Sequence, residues 1–194
     1  MAKSKTYTTS FKRRIAGKTD YKKRLSYLKS GKVRLVIRLS TNNIIFQAVQ
    51  YEMDGDKIIS TTKASELKKV GWKYSTGNIP SAYLAGLLFG TKIKDKVKEG
   101  IIDIGLNSIT KGTRLPAAIK GIADSGVSIK YGEGILPSED TISGKTIANF
   151  ATKLASETEK YQKQFSKYLK DNQKPEDIPK QFEQVKNKIL GGGK

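Results

Sequence analysis

The chain has 194 residues, no cysteine and no histidine, and it carries a net charge of +19. These absences exclude disulfides, thiolate or imidazole metal sites, and nucleophilic catalysis that needs a Cys or a His. No apolar run follows the charged N-terminus, and the most apolar stretch, residues 82–90, is too short to span a bilayer, so we expect a soluble protein.

The positive charge is concentrated at the start of the chain. Residues 1–38 contain 13 Lys or Arg and a single acidic residue, Asp20. Such a basic segment indicates a polyanionic partner, which is RNA, DNA or an anionic membrane surface. Residues 1–17 show no periodicity, and we predict an extended basic arm.

Aromatic residues are interleaved with these cations, which favours a nucleic acid. Arginine grips phosphates and stacks on unpaired bases, and aromatic rings offer stacking surfaces. A membrane anchor needs an acylation site or an apolar wedge, and neither is present. The candidate contacts are Tyr7, Phe11, Lys12, Arg13, Arg14, Lys18, Tyr21, Lys22, Lys23 and Arg24.

Next in the chain we predict a helix and a three-stranded antiparallel meander. The helix starts near Thr19, carries the apolar stripe Tyr21, Leu25 and Leu28, and ends at Gly31. The stretch "VRLVIRL" (33–39) alternates like a half-buried strand and places Arg34, Val36 and Arg38 on an open face. Residues 44–51 and 57–62 supply the other two strands.

The following section alternates helices with strands. We predict a short helix in "ASELKKVG", a loop over 71–81 and a helix over about 81–99. A strand over 101–106 then lies parallel to its neighbour, because it follows a helix. A helix between Pro116 and Gly126 and a last short strand in "VSIKY" complete a mixed sheet covered by helices, an α/β fold.

From Pro137 onward, apolar residues recur only at helical spacing. We therefore predict three parts: a basic arm (1–17), an α/β domain that binds RNA (18–136) and an α-helical C-terminal extension (137–194).

Two further stretches offer candidate contacts. The loop "GWKYSTGNIPS" (71–81) places Trp72, Lys73, Tyr74 and Asn78 before a helix N-terminus, where backbone N–H groups hold phosphate. An ordinary loop with Trp72 in the core explains it equally well, and both interpretations remain open.

Asp103 lies at a strand end, as in metal-dependent nucleases with an RNase H-like sheet. That chemistry needs several converging carboxylates, whereas the other acidic residues are scattered singly. We interpret Asp103 as a polar contact that holds its loop, and Lys111 and Arg114 nearby suit phosphate.

Three stretches together carry a family resemblance: "GKTDYKKRLSYLKSGKVRLVIRLS" (17–40), "GWKYSTGNIPSAYLAGLL" (71–88) and "DIGLNS" (103–108). In this order and spacing they closely resemble the large-subunit ribosomal proteins that bind 5S ribosomal RNA, in their archaeal and eukaryotic form. The likeness runs from about residue 7 to about residue 140, where "YGEGILPSED" looks like the family's exit into its C-terminal extension. Bacterial members lack such a tail, and the modest length favours the archaeal branch.

The resemblance implies a non-catalytic structural protein of the cytoplasmic ribosome that needs no cofactor or small-molecule substrate. It implies a fold shared with some small-subunit ribosomal proteins. Its partners would be 5S rRNA, 23S rRNA and neighbouring ribosomal proteins, including the other 5S-binding protein, in the central protuberance. RNA contacts carry over to the basic arm and first helix, to Arg34 and Arg38, and to the loop 72–78. A metal-dependent nuclease and a non-specific polyanion binder are the alternatives.

Overall fold

A four-stranded mixed sheet forms the centre of the computed structural model, which describes residue 6 and residues 8–191. The strand order is β3-β2-β1-β4. The first three strands pair antiparallel, and β4 pairs parallel with β1, so the predicted meander and the parallel strand are both confirmed. The strands are β1 (Val33–Leu39), β2 (Ile44–Glu52), β3 (Gly55–Lys63) and β4 (Gly100–Asp103).

Helices precede, cover and follow this sheet. The α-helices are α1 (Lys12–Ile15), α2 (Tyr21–Lys29), α3 (Leu67–Val70), α4 (Ile79–Ile93), α5 (Arg114–Asp124), α6 (Glu139–Ser143), α7 (Lys145–Leu154), α8 (Thr158–Gln164), α9 (Ser166–Lys170) and α10 (Ile178–Gly191). Short 3-10 turns lie at Ala64–Glu66, Glu133–Ile135 and Pro175–Asp177.

Two predicted elements differ from the observed ones. The predicted last strand is wrong, because its region forms only a single parallel bridge between Glu99 and Ser128. The predicted helix over 81–99 begins earlier, at Ile79, and ends at Ile93. Asn78 sets the start, since its side chain accepts a hydrogen bond from the Ser81 N–H at 3.0 Å.

Helices α4 and α5 lie in backbone contact beside the sheet. A methyl group added at Gly86 would lie 2.2 Å from the carbonyl oxygen of Ala118, and one added at Gly121 would lie 2.2 Å from that of Tyr83. Glycine is therefore required at both positions by the close approach of the two helices. Phe89 of α4 stacks on Phe46 of β2 with ring centroids 5.4 Å apart, which joins this helix pair to the sheet.

The C-terminal helices share the core of the α/β domain. The apolar face of α10 is buried, and the Phe182 ring lies 5.6 Å from the Tyr83 ring of α4. Gln181 accepts a hydrogen bond from the backbone N–H of Lys73 at 3.2 Å and donates one to the Gly71 carbonyl at 3.2 Å. The extension is thus helical as predicted and fixes the loop before α4, while the boundary at residue 137 stays a prediction.

One tyrosine hydroxyl attaches the extension to the α/β domain, and another connects two segments within the extension. Tyr74, which is 4% exposed, donates to the Lys174 carbonyl at 2.6 Å. Tyr161 donates to a carboxylate oxygen of Glu176 at 2.9 Å. Burial raises the pKa of Tyr74 to about 12, with further contributions from Asp177 and other neighbours. Burial and the bond to Glu176 raise the pKa of Tyr161 to about 12.

We expect the fold to lose stability as the pH rises from about 10 to about 12. A raised pKa in the folded state means that ionisation favours unfolding, so the stabilisation is complete below the unfolded pKa near 10 and is lost above it. For Tyr74 the loss at about pH 11.5 is on the order of 2 kcal/mol. Urea unfolding at several pH values measures it. Tyr74→Phe should show a weaker pH dependence, and identical curves for the two proteins would contradict the assignment.

Candidate nucleic-acid interface

Residues 12–15 of the basic arm form a helical turn, whereas the sequence predicted an extended arm throughout. Lys12, Arg13 and Arg14 are exposed on α1. The Arg13 Nε donates to the Thr19 hydroxyl at 2.9 Å, and the Phe11 ring lies 5.1 Å from the ring of Tyr21. These contacts fold α1 back onto α2. Tyr7, which the sequence also indicated as a contact, lies outside the described residues.

Helix α2 presents a cationic face to solvent. It begins at Tyr21 because the Asp20 carboxylate accepts hydrogen bonds from the backbone N–H groups of Lys22 and Lys23 at 3.0 and 3.1 Å. The side chains of both lysines are exposed, as is Lys18 before the helix. The predicted apolar stripe is only partly buried, since Leu25 is 54% exposed, and α2 has no fully buried side chain.

The prediction that β1 points two free arginines at solvent is wrong for Arg34. Its side chain is 5% exposed and lies between two carboxylates. One guanidinium nitrogen is 2.7 Å from Asp56 of β3, and the other is 3.3 Å from Asp103 at the end of β4. A buried guanidinium requires such partners, because an unpaired charge inside a protein is strongly destabilising.

Arg38 and Arg24 extend this ion-pair network to the surface. Arg38, with its side chain 45% exposed, contacts the Asp103 carboxylate at 3.2 Å and donates to the Asp103 carbonyl at 2.8 Å. Arg24 of α2 lies 2.7 Å from the Asp56 carboxylate. Asp103 also accepts a hydrogen bond from the Gly105 N–H at 2.9 Å, which confirms the prediction that it holds its loop.

These elements surround one basic groove with a cavity volume of about 700 Å³. It separates α1 and α2 from the ends of β1 and β4. Tyr27 lies inside it, and burial together with the charge of Asp103 raises the pKa of its phenol, against the effect of Arg38. The cationic side chains that line the groove are Arg13, Lys18, Lys23, Arg24, Arg34 and Arg38.

In the loop before α4, the aromatic side chains pack in the core, which decides between the two interpretations of this loop. Trp72 is 1% exposed and Tyr74 is 4% exposed, and the Trp72 indole donates to the Ser75 carbonyl at 3.1 Å. Neither ring is available to stack on a base. Asn78 caps α4, and of the four predicted contacts in this loop only Lys73 is fully exposed.

Arg114 joins two loops. One of its guanidinium nitrogens lies 3.1 Å from the Ser40 carbonyl, 3.0 Å from the Thr41 carbonyl and 3.2 Å from the Gly77 carbonyl. The sequence suggested that Arg114 binds phosphate. In the structure its side chain instead connects the β1–β2 turn to the loop before α4. Lys111 is exposed.

Residue 6 and residues 8–191 contain neither a cluster of candidate metal ligands nor a membrane-spanning helix. No three acidic side chains in this part of the chain converge as metal ligands would. None of the helices described there is long and apolar enough to cross a membrane.

Comparison with known proteins decides the family. A family model described as "Ribosomal large subunit proteins 60S L5, and 50S L18" matches residues 5–100. The chain is also 43% identical to the large ribosomal subunit protein uL18 of Methanococcus maripaludis over 191 residues, which cover 98% of this chain and 99% of that protein. The chain belongs to the uL18 family. Its members are structural components of the large ribosomal subunit.

Membership in the uL18 family confirms the resemblance to large-subunit ribosomal proteins and the archaeal character of the sequence. The chain is accordingly a non-enzymatic ribosomal protein of the cytoplasmic ribosome, with ribosomal RNA and other ribosomal proteins as partners. The nuclease alternative is thereby replaced by a structural role.

The ion-pair network is the feature of this uL18 protein that sequence reasoning missed. Asp56 lies near the start of β3, and no local pattern in the sequence marks it as a partner of Arg34. The network could not be predicted without the register of β1 and β4. In that register Val36 lies opposite Asp103, so Asp103 comes between Arg34 and Arg38 along β1. Alternating side-chain direction then places all of them on one face of the sheet.

Proposed function

We propose that this uL18 protein binds 5S rRNA through the basic groove and the cations of α1 and α2. In this role it helps to anchor 5S rRNA to 23S rRNA in the central protuberance, beside the other 5S-binding protein. The observation that carries the proposal is the set of exposed cations from Lys12 to Lys23, of which Arg13, Lys18 and Lys23 line the groove. The motifs that resemble 5S-binding proteins support the same RNA.

The chemistry of this surface suits a folded RNA. Lysines and arginines neutralise phosphates and release counterions, which makes the association tight and sensitive to salt. Phe11 is 70% exposed on α1 and offers a face on which an unpaired base can stack. Arg38 keeps an exposed edge that can contact RNA. Arg34 is buried and instead holds the carboxylates of Asp56 and Asp103 in place.

The burial pattern narrows the proposed contacts. Trp72 and Tyr74 are core residues, and Asn78 and Arg114 already hold backbone groups, so we assign them to the framework. Lys73 and Lys111 are exposed and stay predicted contacts outside the groove. The groove contacts are therefore the cations of α1 and α2, with Phe11, Tyr21 and Arg38.

Equilibrium binding of the full chain to transcribed archaeal 5S rRNA tests the proposal. If about six phosphates are neutralised, the logarithm of the association constant should fall with the logarithm of salt concentration at a slope of about −4 to −5. Transfer RNA, duplex DNA and anionic phosphatidylserine vesicles serve as competitors. A flat salt dependence contradicts the groove, and equal affinity for 5S rRNA and duplex DNA supports a non-specific polyanion binder instead.

A further inference from the structure

Helix α2 carries much of the proposed RNA-binding charge but is weakly held by apolar packing. None of its nine residues is fully buried, and Leu25 is more than half exposed. The cap formed by Asp20 is local to the helix and does not connect it to the sheet. Another contact must therefore set the position of α2 relative to β1.

Asp56 makes a direct polar connection between α2 and the sheet. Its carboxylate lies 2.7 Å from the guanidinium of Arg24 on α2 and 2.7 Å from that of Arg34 on β1. Arg34 is in turn held by Asp103 at 3.3 Å, so the connection ends in a buried, fixed group.

The Asp56 carboxylate is charged at neutral pH. Partial burial raises its pKa, but the hydrogen bonds and charges of Arg24 and Arg34 outweigh burial, and the pKa of Asp56 lies below its ordinary value. Charge-assisted hydrogen bonds are shorter and stronger than neutral ones, and both arginines reach the same carboxylate oxygen of Asp56 at 2.7 Å, so Asp56 sets the distance between Arg24 and Arg34.

We infer that Asp56 is a positioning residue for RNA binding: its carboxylate holds Arg24, and through it α2, at a set distance from β1. The inference rests on the proposed function of the groove. In this arrangement Asp56 need not touch RNA. It fixes the spacing between the lysines of α2 and the exposed edge of Arg38, so that these cations match phosphates on one folded RNA. Because the cations are already in place, binding does not include the entropy cost of ordering them.

Simple electrostatics makes the opposite prediction, which gives the test a clear sign. A carboxylate at the rim of a site for a polyanion repels phosphates, and its neutralisation raises the net charge from +19 to +20. If Asp56 acted only through its charge, removing that charge would strengthen RNA binding. If it positions α2, the same change weakens binding.

The chain offers a matched control two residues away. Asp54 lies in the same hairpin, is exposed, and forms no ion pair with any described residue. Asp56→Asn and Asp54→Asn therefore remove the same charge from the same region. We expect Asp56→Asn to weaken binding of transcribed 5S rRNA about tenfold and to make the salt slope shallower by roughly the contribution of one phosphate. Asp54→Asn should leave affinity unchanged or slightly increase it.

Two further measurements separate positioning from loss of the fold. In the Asp56→Asn variant Arg34 still has its ion pair with Asp103, so its charge is not left without a partner. Thermal unfolding followed by circular dichroism shows whether the variant is folded at the temperature of the binding measurement. Asp56→Glu restores the carboxylate and should recover most of the affinity. A folded Asp56→Asn protein that binds 5S rRNA as tightly as the wild type, or more tightly, overturns the inference and leaves the proposed function intact. A wild type without preference for 5S rRNA overturns both.

Discussion

Replacing Lys12, Arg13 and Arg14 together with alanine is expected to weaken the binding of 5S rRNA about a hundredfold. No described residue forms an ion pair with these side chains, so their removal leaves no carboxylate without a partner. Each lost charged contact costs about 1 kcal/mol, and each 1.4 kcal/mol is about a tenfold change in affinity. The salt slope should also become shallower by about 2. Gel-shift titration over a range of salt concentrations measures both quantities.

The matched control is the triple substitution of Lys94, Lys96 and Lys98 with alanine. These lysines are exposed on the segment between α4 and β4, and their replacement removes the same total charge. We expect less than about a fivefold loss, because screening weakens charges that lie more than about 10 Å from the RNA. Equal losses in both triple variants would show that overall charge, rather than the arm, drives binding.

Gly86→Ala is expected to cause a large loss of stability for so small a substitution. The added methyl group would lie 2.2 Å from the Ala118 carbonyl oxygen, and both Ala118 and its neighbour Ala117 are fully buried. Alanine gains about 1 kcal/mol of helix propensity over glycine, but forcing α4 and α5 apart costs more. We expect a net loss of about 3 kcal/mol, which lowers the midpoint of thermal unfolding by about 10 °C.

Gly132→Ala supplies the comparison. A methyl group at this position meets no atom within 4 Å, and the backbone φ of −85° suits any residue. We expect unchanged stability or a gain of up to about 0.5 kcal/mol, because alanine restricts the unfolded chain. Calorimetry on the two variants and the wild type distinguishes these outcomes. A Gly86→Ala protein as stable as Gly132→Ala would mean that α4 and α5 are not in backbone contact.

Local signals were sufficient wherever a residue acts on its own neighbours in the chain. The sequence predicted a helix from about residue 81, close to the observed start of α4 at Ile79, and the alternation of residues 33–39 predicted β1. The helix before the parallel strand predicted the direction of β4. The start of α4 and the alternation of β1 depend on residues a few positions apart, and the direction of β4 follows from the helix that precedes it, so all three are visible in the sequence.

At the basic surface, local patterns did not predict the environment of the arginines, because their ion-pair partners are distant in the chain. Arg34 looked solvent-facing because its strand alternates, but Asp56 and Asp103 approach it from 22 and 69 positions along the chain. The sequence allowed Trp72 to be either a stacking surface or a core residue. The structure places it in the core, because the loop 71–78 packs beneath the C-terminal helices. No pattern within one segment reports such contacts.

The sequence by itself determined the four strands of the sheet, the main helices and the concentration of positive charge near the N-terminus, because periodicity, caps and composition are local properties. The family came from the resemblance of three motifs and from comparison with known proteins. Only the tertiary structure decided which cations remain free. That choice depends on strand register and on how closely α2 approaches the sheet, and both are set by the burial of groups distant in the chain. Arg34 of β1 therefore holds the surface together from within, and Arg24 of α2 is tied to Asp56. Arg38 keeps an exposed edge, and the cations of α1 and the lysines of α2 face outward.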